Sequence, residues 1–166
     1  AWYLAGDPVA VDAYGAWDIT TGAPTTVVAV LDTGIQMHPD LGGRILPGYD
    51  FVSDPKVAND GNGRDSDPTD PGDWVSDADL ADPEFEDCET TDSTWHGTSV
   101  TGILVANANN AQYTAGLDWR AKVLPVRVMG KCGGYDSDIL DGVAWAAGLL
   151  VPGVPANPNV AQVINL

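Results

Sequence analysis

The sequence predicts an α/β fold with a central, mostly parallel sheet and helices on both faces. The first reason is the run at 27–31, in which five consecutive apolar residues, three of them valine, are typical of a strand buried on both faces. The second is the alternation of strand-like and helical patterns, with short connections except for one long acidic loop. A chain of 166 residues can form one domain with a sizeable core.

Each element follows from a local pattern of apolar residues. The helical spacing of Val9, Ala13 and Trp17 predicts the first helix, and Ser137 is a suitable cap for the last one. Pro125 lies inside a predicted strand, where a proline is awkward in a central ladder. The expected elements are a helix at 8–17, a strand at 27–31, a strand at 45–52, a helix at 96–106, a strand at 122–129, a helix at 138–149 and a strand at 160–166.

The charge is strongly acidic, with 7 Lys and Arg residues against 24 Asp and Glu residues and a net charge of −17. This balance argues against nucleic acid and anionic membranes as partners. No run of 18 apolar residues is present, so we expect no membrane span. The first four residues lack the basic start and apolar stretch of a signal peptide, so an exported protein would be represented here by its mature form.

The acidic residues are 21 Asp and only 3 Glu, and many of them are crowded between residues 50 and 92 together with Gly, Asn and Pro. Short carboxylates in such a loop favour a calcium site, although the spacing at 59–74 does not match an EF-hand. The alternative is a solvated acidic loop. The predicted side-chain ligands are Asp60, Asp65, Asp67 and Asp73.

The two cysteines, Cys88 and Cys132, are predicted to form one disulfide in this acidic, lysine-poor chain. Two separate buried thiols are the alternative. Two cysteines and two histidines make a structural zinc site an unfavourable interpretation.

Two stretches indicate chemistry. Asp32 ends the apolar strand, at the edge of an α/β sheet where ligands collect, although an Asp there can also be a simple turn former. His96 opens a helix of small residues, in the segment Trp95-His96-Gly97-Thr98-Ser99-Val100. Together with His38-Pro39-Asp40-Leu41, these stretches resemble the motifs of the subtilisin-like serine proteases, the subtilases.

The resemblance implies a subtilisin-like three-layer fold and a secreted serine endopeptidase with an Asp-His-Ser triad. In that family Asp32 would orient the imidazole and His96 would act as the general base. The nucleophile segment Gly-Thr-Ser-Met-Ala and the oxyanion Asn of the family are absent from these 166 residues, so the chain corresponds to the N-terminal part of a catalytic domain. Ser99 lies three residues after His96 within the His motif and is not expected to be the nucleophile.

The same resemblance suggests further sites and partners. A peptide or protein substrate would be held by strand addition along Cys132, Gly133, Gly134 and Tyr135, and a disulfide to Cys88 would pin the acidic loop beside this edge. A second calcium site would involve Asp40 and Asn110. The other expected partner is the remaining C-terminal half of the domain, and we expect a monomer.

Two rival hypotheses remain at this point. Asp32-Thr33-Gly34 after an apolar strand is also the signature of pepsin-like aspartic proteases, but those are all-β and need a second such Asp. The other rival is non-enzymatic, namely a calcium-stabilised binding module or a degenerate subtilase.

Overall fold

The computed structural model describes residues 4–5 and 8–166, and it confirms the predicted α/β class. Residues 1–3, most of the stretch that lacks a signal-peptide pattern, lie outside the described part. Short 3-10 turns also occur at Pro39–Leu41, Asp79–Ala81 and Pro83–Phe85. The elements are α1 (Ala13–Trp17), β1 (Val27–Asp32), β2 (Tyr49–Asp50), α2 (Pro55–Ala58), α3 (His96–Val105), β3 (Lys122–Arg127), α4 (Asp136–Ala146) and β4 (Val163–Asn165).

The four strands form one parallel sheet in the order β2-β3-β1-β4. β1 lies inside the sheet, with Asp32 opposite Arg127 of β3 at its carboxyl end. Successive side chains of β1 point to opposite faces of the sheet, as in any strand. Leu31 packs in the core on the α4 side with Trp145, whereas Val30 packs on the α3 side with Val105. The sheet therefore carries a helix on each face.

Several elements are shorter than predicted. The first helix spans only five residues, because residues 8–10 form a turn and the cap Asp12 has a left-handed φ of 49°. The last helix begins at Asp136, so Ser137 lies inside it and is not its cap. The predicted strand at 160–166 is paired only over Val163–Asn165.

Pro125 is accommodated because the segment beside β3 is not paired with it in a regular ladder at this point. Val123 exchanges backbone hydrogen bonds with Arg44 and Leu46, and pairing with β3 resumes only at Tyr49. Between those points Gly48 approaches so closely that a Cβ atom there would overlap the Pro125 carbonyl oxygen. The missing N–H of Pro125 thus leaves no gap in a regular ladder.

Candidate active site

Asp32 and His96 meet at the carboxyl end of β1. The Nδ1 atom of His96 lies 2.8 Å from Oδ2 and 3.0 Å from Oδ1 of Asp32. The Asp32 side chain is only 7% exposed, whereas that of His96 is 64% exposed. A cleft of about 260 Å³ opens beside the pair and is also lined by Thr94, Met129 and Gly133. The contact therefore joins a buried carboxylate to an imidazole that remains accessible from the cleft.

The backbone around Asp32 fixes this geometry. The Thr33 N–H donates to Asp32 Oδ1 at 2.7 Å, and the Val128 N–H donates to the Asp32 carbonyl at 2.9 Å. On α3, Gly97 allows the helix to approach β1, because a Cβ atom there would lie 2.2 Å from the Gly34 carbonyl oxygen. The absence of a side chain at residue 97 thus sets the separation between the helix and the strand.

The arrangement suits proton transfer at His96. A carboxylate only accepts hydrogen bonds, so the Nδ1 atom beside Asp32 carries the proton and Nε2 keeps its lone pair. His96 can then accept a proton at Nε2 from a group in the cleft, while Asp32 stabilises the imidazolium that forms.

Ser99 does not take part in this pair. Its Oγ donates to the backbone carbonyl of Trp95 at 3.2 Å, within the helix that also carries His96. This bond ties the Ser99 hydroxyl to the backbone of its own helix.

Known proteins are similar to this chain in sequence and in fold. The model of the subtilase family matches residues 23–166. The chain belongs to the subtilase family. An extracellular basic protease of Dichelobacter nodosus is 48% identical over 165 residues, which cover 99% of this subtilase chain and 27% of that protein. An extracellular protease of Xanthomonas campestris pv. campestris is 52% identical over 151 residues, which cover 91% of this chain and 25% of that protein.

A solved protease structure from Pseudoalteromonas arctica PAMC 21717 superimposes with a TM-score of 0.89 at 49% identity. The match covers 99% of this subtilase chain and 47% of that one. The chain thus spans about a quarter of the length of the two relatives above and about half of the solved structure. Among the described residues, no helix is long and apolar enough to cross a membrane.

The stretch predicted to bind substrate begins in a tight turn. Gly130 and Gly133 exchange backbone hydrogen bonds, and Cys132 and Gly133 have φ values of 62° and 105°. Extended backbone is found at Tyr135, with φ −78° and ψ 140°. Cys132 and Gly133 line the cleft beside Asp32 and His96 as well as a second pocket on the acidic-loop side.

The acidic loop, residues 54–92, is attached at this turn. A disulfide joins Cys88 to Cys132, and Lys131 Nζ lies 2.8 Å from Asp79 Oδ1. The Tyr135 hydroxyl donates to Glu84, and this bond raises the pKa of Tyr135 to about 12. The loop therefore borders the cleft by covalent and polar contacts.

The four carboxylates predicted to bind calcium do not form a site, and this prediction is corrected. Asp60 Oδ2 pairs with Arg127 at 2.7 Å, and both oxygens of Asp73 accept hydrogen bonds from Thr94. Asp65 and Asp67 accept bonds from residues of their own loop. Within the described part of the chain, no group of three or more His, Cys, Asp or Glu side chains is arranged to hold a metal ion.

The crowded aspartates instead stabilise turns. Each of several carboxylates in this region accepts a hydrogen bond from the backbone N–H two residues later, a geometry that the short Asp side chain reaches and Glu does not. This explains the preference for Asp over Glu, for which calcium binding was the predicted reason. The aspartates concerned are Asp50, Asp54, Asp60, Asp65, Asp67, Asp70 and Asp82.

Asp40 and Asn110, the second predicted pair, do come together. Asp40 is 2% exposed, and Asn110 Nδ2 donates to its Oδ1 atom. The Thr114 N–H lies 3.5 Å from Asp40 Oδ2, and no Lys, Arg or His forms an ion pair with this carboxylate in the described residues. The amide nitrogen of Asn110 faces this carboxylate, and its amide oxygen accepts the Gln112 N–H at 3.1 Å. Asp40 is thus a buried carboxylate without a counter-charge, and a carboxylate is a ligand that calcium accepts.

Sequence reasoning missed a buried charge cluster at the carboxyl end of β3, next to β1. Arg127 is fully buried, and its NH1 group donates to both Asp50 and Asp60. Burial raises the pKa of Asp50 to about 7, although Arg127 acts in the opposite direction. An Arg directly after the apolar run Val123–Val126 was the available signal, because such a residue needs carboxylate partners when it is buried.

Proposed function

We propose that this chain is the N-terminal part of a subtilisin-like catalytic domain and that the whole protein is a secreted serine endopeptidase. The contact of 2.8 Å between His96 Nδ1 and the buried Asp32 carboxylate carries this proposal. The names of the Dichelobacter and Xanthomonas relatives, which describe extracellular proteases, support secretion.

The mechanism assigns two proton-handling roles to this chain. His96 Nε2 accepts the proton of a serine hydroxyl as that oxygen attacks the peptide carbonyl carbon, and the imidazolium then gives the proton to the leaving amine. Asp32 keeps the Nδ1 proton in place and stabilises the charged ring throughout. Loss of the amine leaves the acyl group on the serine oxygen. His96 then takes a proton from a water molecule that attacks this ester, and returns it to the serine oxygen as the second product leaves.

The serine and the oxyanion donors of this mechanism belong to the remaining part of the domain, which is the expected protein partner of this chain. The chain alone is therefore inactive. Peptide substrate would bind along Cys132, Gly133, Gly134 and Tyr135, because Cys132 and Gly133 border the cleft that holds His96.

The test uses the full-length protein and an unfolded substrate such as casein. His96→Ala and Asp32→Asn should each lower kcat by about 10⁴-fold, because they remove the base or its orienting group. Ser99→Ala is the matched control on the same helix and should keep its activity. A fluorophosphonate should block the enzyme, whereas pepstatin should not.

Full activity of His96→Ala would refute the assignment of the base. A folded wild-type protein that cleaves no substrate would favour the degenerate subtilase or binding module, and inhibition by pepstatin would favour the aspartic protease.

For the cofactor, we propose calcium at Asp40 and Asn110. The absence of a counter-charge for the buried Asp40 carboxylate supports this choice. Calcium bound there would neutralise the carboxylate and stabilise the fold, and it has no part in the proton transfers above.

A further inference from the structure

The segment Asp70–Asp73 of the acidic loop contacts residues on both sides of the catalytic pair. Asp70 accepts a hydrogen bond from Thr33, the residue after Asp32. Asp73 accepts two from Thr94, which precedes His96 by two residues. One short segment thus reaches the ends of both elements that carry the pair.

Asp70 acts on the strand side. The Thr33 hydroxyl donates to Asp70 Oδ2 at 2.7 Å, so its oxygen is free to accept the N–H of Gly97 at 3.2 Å. The hydroxyl therefore bridges the end of β1 to the first turn of α3. Asp70 is 1% exposed, and its other oxygen accepts the Gly72 N–H. Burial raises the pKa of Asp70, whereas the bonds from Thr33 and Gly72 act in the opposite direction.

Asp73 acts on the helix side through the same kind of bridge. The Thr94 hydroxyl donates to Asp73 Oδ2 at 2.8 Å, and its oxygen accepts the His96 N–H at 3.3 Å. The residue between them, Trp95, has a left-handed φ of 52° and makes no side-chain cap bond. Thr94 consequently caps the first amide of the helix, and Asp73 fixes the rotamer of that cap.

We propose that Asp70 and Asp73 are positioning residues that hold the His96 imidazole against the Asp32 carboxylate. Each acts through a threonine. The threonine hydroxyl donates its proton to the aspartate, and the hydroxyl oxygen accepts a hydrogen bond from a backbone N–H of α3. Neither aspartate has an ion-pair partner in the described residues, so hydrogen bonding to these threonines and nearby amides accounts for both carboxylates. The inference rests on the proposed protease function.

The test compares Thr94→Val with Thr94→Ser in the full-length protein. Valine keeps the shape but removes the hydroxyl, whereas serine keeps the hydroxyl. Thr94→Val should lower kcat per active site by about 10- to 100-fold with KM nearly unchanged, because small displacements of catalytic groups cost this much. Thr94→Ser should keep most of the activity. Active sites are counted by titration with a fluorophosphonate, and the melting temperature is recorded for every variant.

Asp73→Ala should reproduce the loss caused by Thr94→Val, and the double variant should lose no more, because both changes break one bridge. Thr33→Val and Thr33→Ser test the Asp70 bridge in the same way, which keeps the proposal testable if Asp70 variants do not fold.

Variants that lower the melting temperature or the number of titrated sites while kcat per site stays normal would overturn the positioning role. Additive losses in the double variant would also overturn it. His96→Ala is measured in parallel, so the two hypotheses fail separately. If His96→Ala stays active, the protease mechanism is refuted. If His96→Ala is inactive but Thr94→Val and Asp73→Ala keep a normal kcat per active site, only the positioning proposal is refuted.

Discussion

Gly97→Ala should lower the activity of the full-length protein about 10²-fold by moving His96 away from Asp32. The added Cβ atom would lie 2.2 Å from the Gly34 carbonyl oxygen, which is about 0.8 Å inside the 3.0 Å limit that real Cβ contacts keep, and 3.1 Å from Asp32 Cβ. Both neighbours belong to the backbone or to the base of a side chain, so α3 must move away from β1. We expect overpacking to lower the free energy of unfolding by about 1–3 kcal/mol.

The same shift carries His96 away from Asp32. A displacement approaching 1 Å should lower kcat/KM by about 10²-fold. The assay is hydrolysis of a chromogenic peptide by the full-length protein, normalised to titrated active sites and accompanied by thermal unfolding followed by circular dichroism.

Gly102→Ala is the matched control on the same helix. A Cβ atom at residue 102 meets nothing within 4 Å, so this change should raise the free energy of unfolding by up to about 1 kcal/mol through helix propensity, with activity retained. Equal changes in kcat/KM for the two substitutions, or a normal kcat/KM in Gly97→Ala, would show that Gly97 does not set the distance between α3 and β1.

Three other predictions concern the acidic loop and the cation site. Replacing Cys88 and Cys132 together by Ser should lower the free energy of unfolding by about 2–4 kcal/mol, since the bridge spans 44 residues, and equal denaturant midpoints for both proteins would contradict this. The Lys131 ammonium and Ser76 lower the pKa of Asp79 to about 2, so this pair stabilises the fold above about pH 4 and the contribution is lost as the pH falls toward 2. Asp79→Asn should therefore make the free energy of unfolding depend less steeply on pH between about pH 2 and pH 4. An unchanged slope would refute a contribution of the Asp79–Lys131 pair. Calcium should raise the melting temperature of chelator-treated protein but not of Asp40→Asn, and an equal response would exclude this site.

The contact between Asp32 and His96 could be predicted because its signals are local. Asp32 directly follows an apolar strand, and His96 opens a helix of small residues, so each position follows from its immediate neighbours. Their meeting follows from the parallel sheet, which brings strand ends and the following helices to one edge.

The calcium prediction at Asp60, Asp65, Asp67 and Asp73 was wrong because two kinds of loop share one composition. Aspartates among Gly and Pro can turn their oxygens toward an ion or toward backbone N–H groups, and only the loop conformation distinguishes the two. The bridges from Asp70 and Asp73 were missed because Thr33 and Thr94 lie 37 and 21 residues away in sequence.

Arg127 makes the acidic loop inseparable from the sheet. Its guanidinium enters the protein interior from β3 and neutralises Asp60 of the loop as well as Asp50 of β2. An engineer who transplants residues 54–92 into a related scaffold must transplant the arginine too, since an incoming Asp60 would otherwise arrive without a counter-charge. Deleting the loop while keeping Arg127 would remove the contacts of its guanidinium with Asp60 and the Ala58 carbonyl and leave Asp50 as its ion-pair partner. Shuffling of loops among such enzymes is therefore constrained by a residue that lies far along the chain from the exchanged segment.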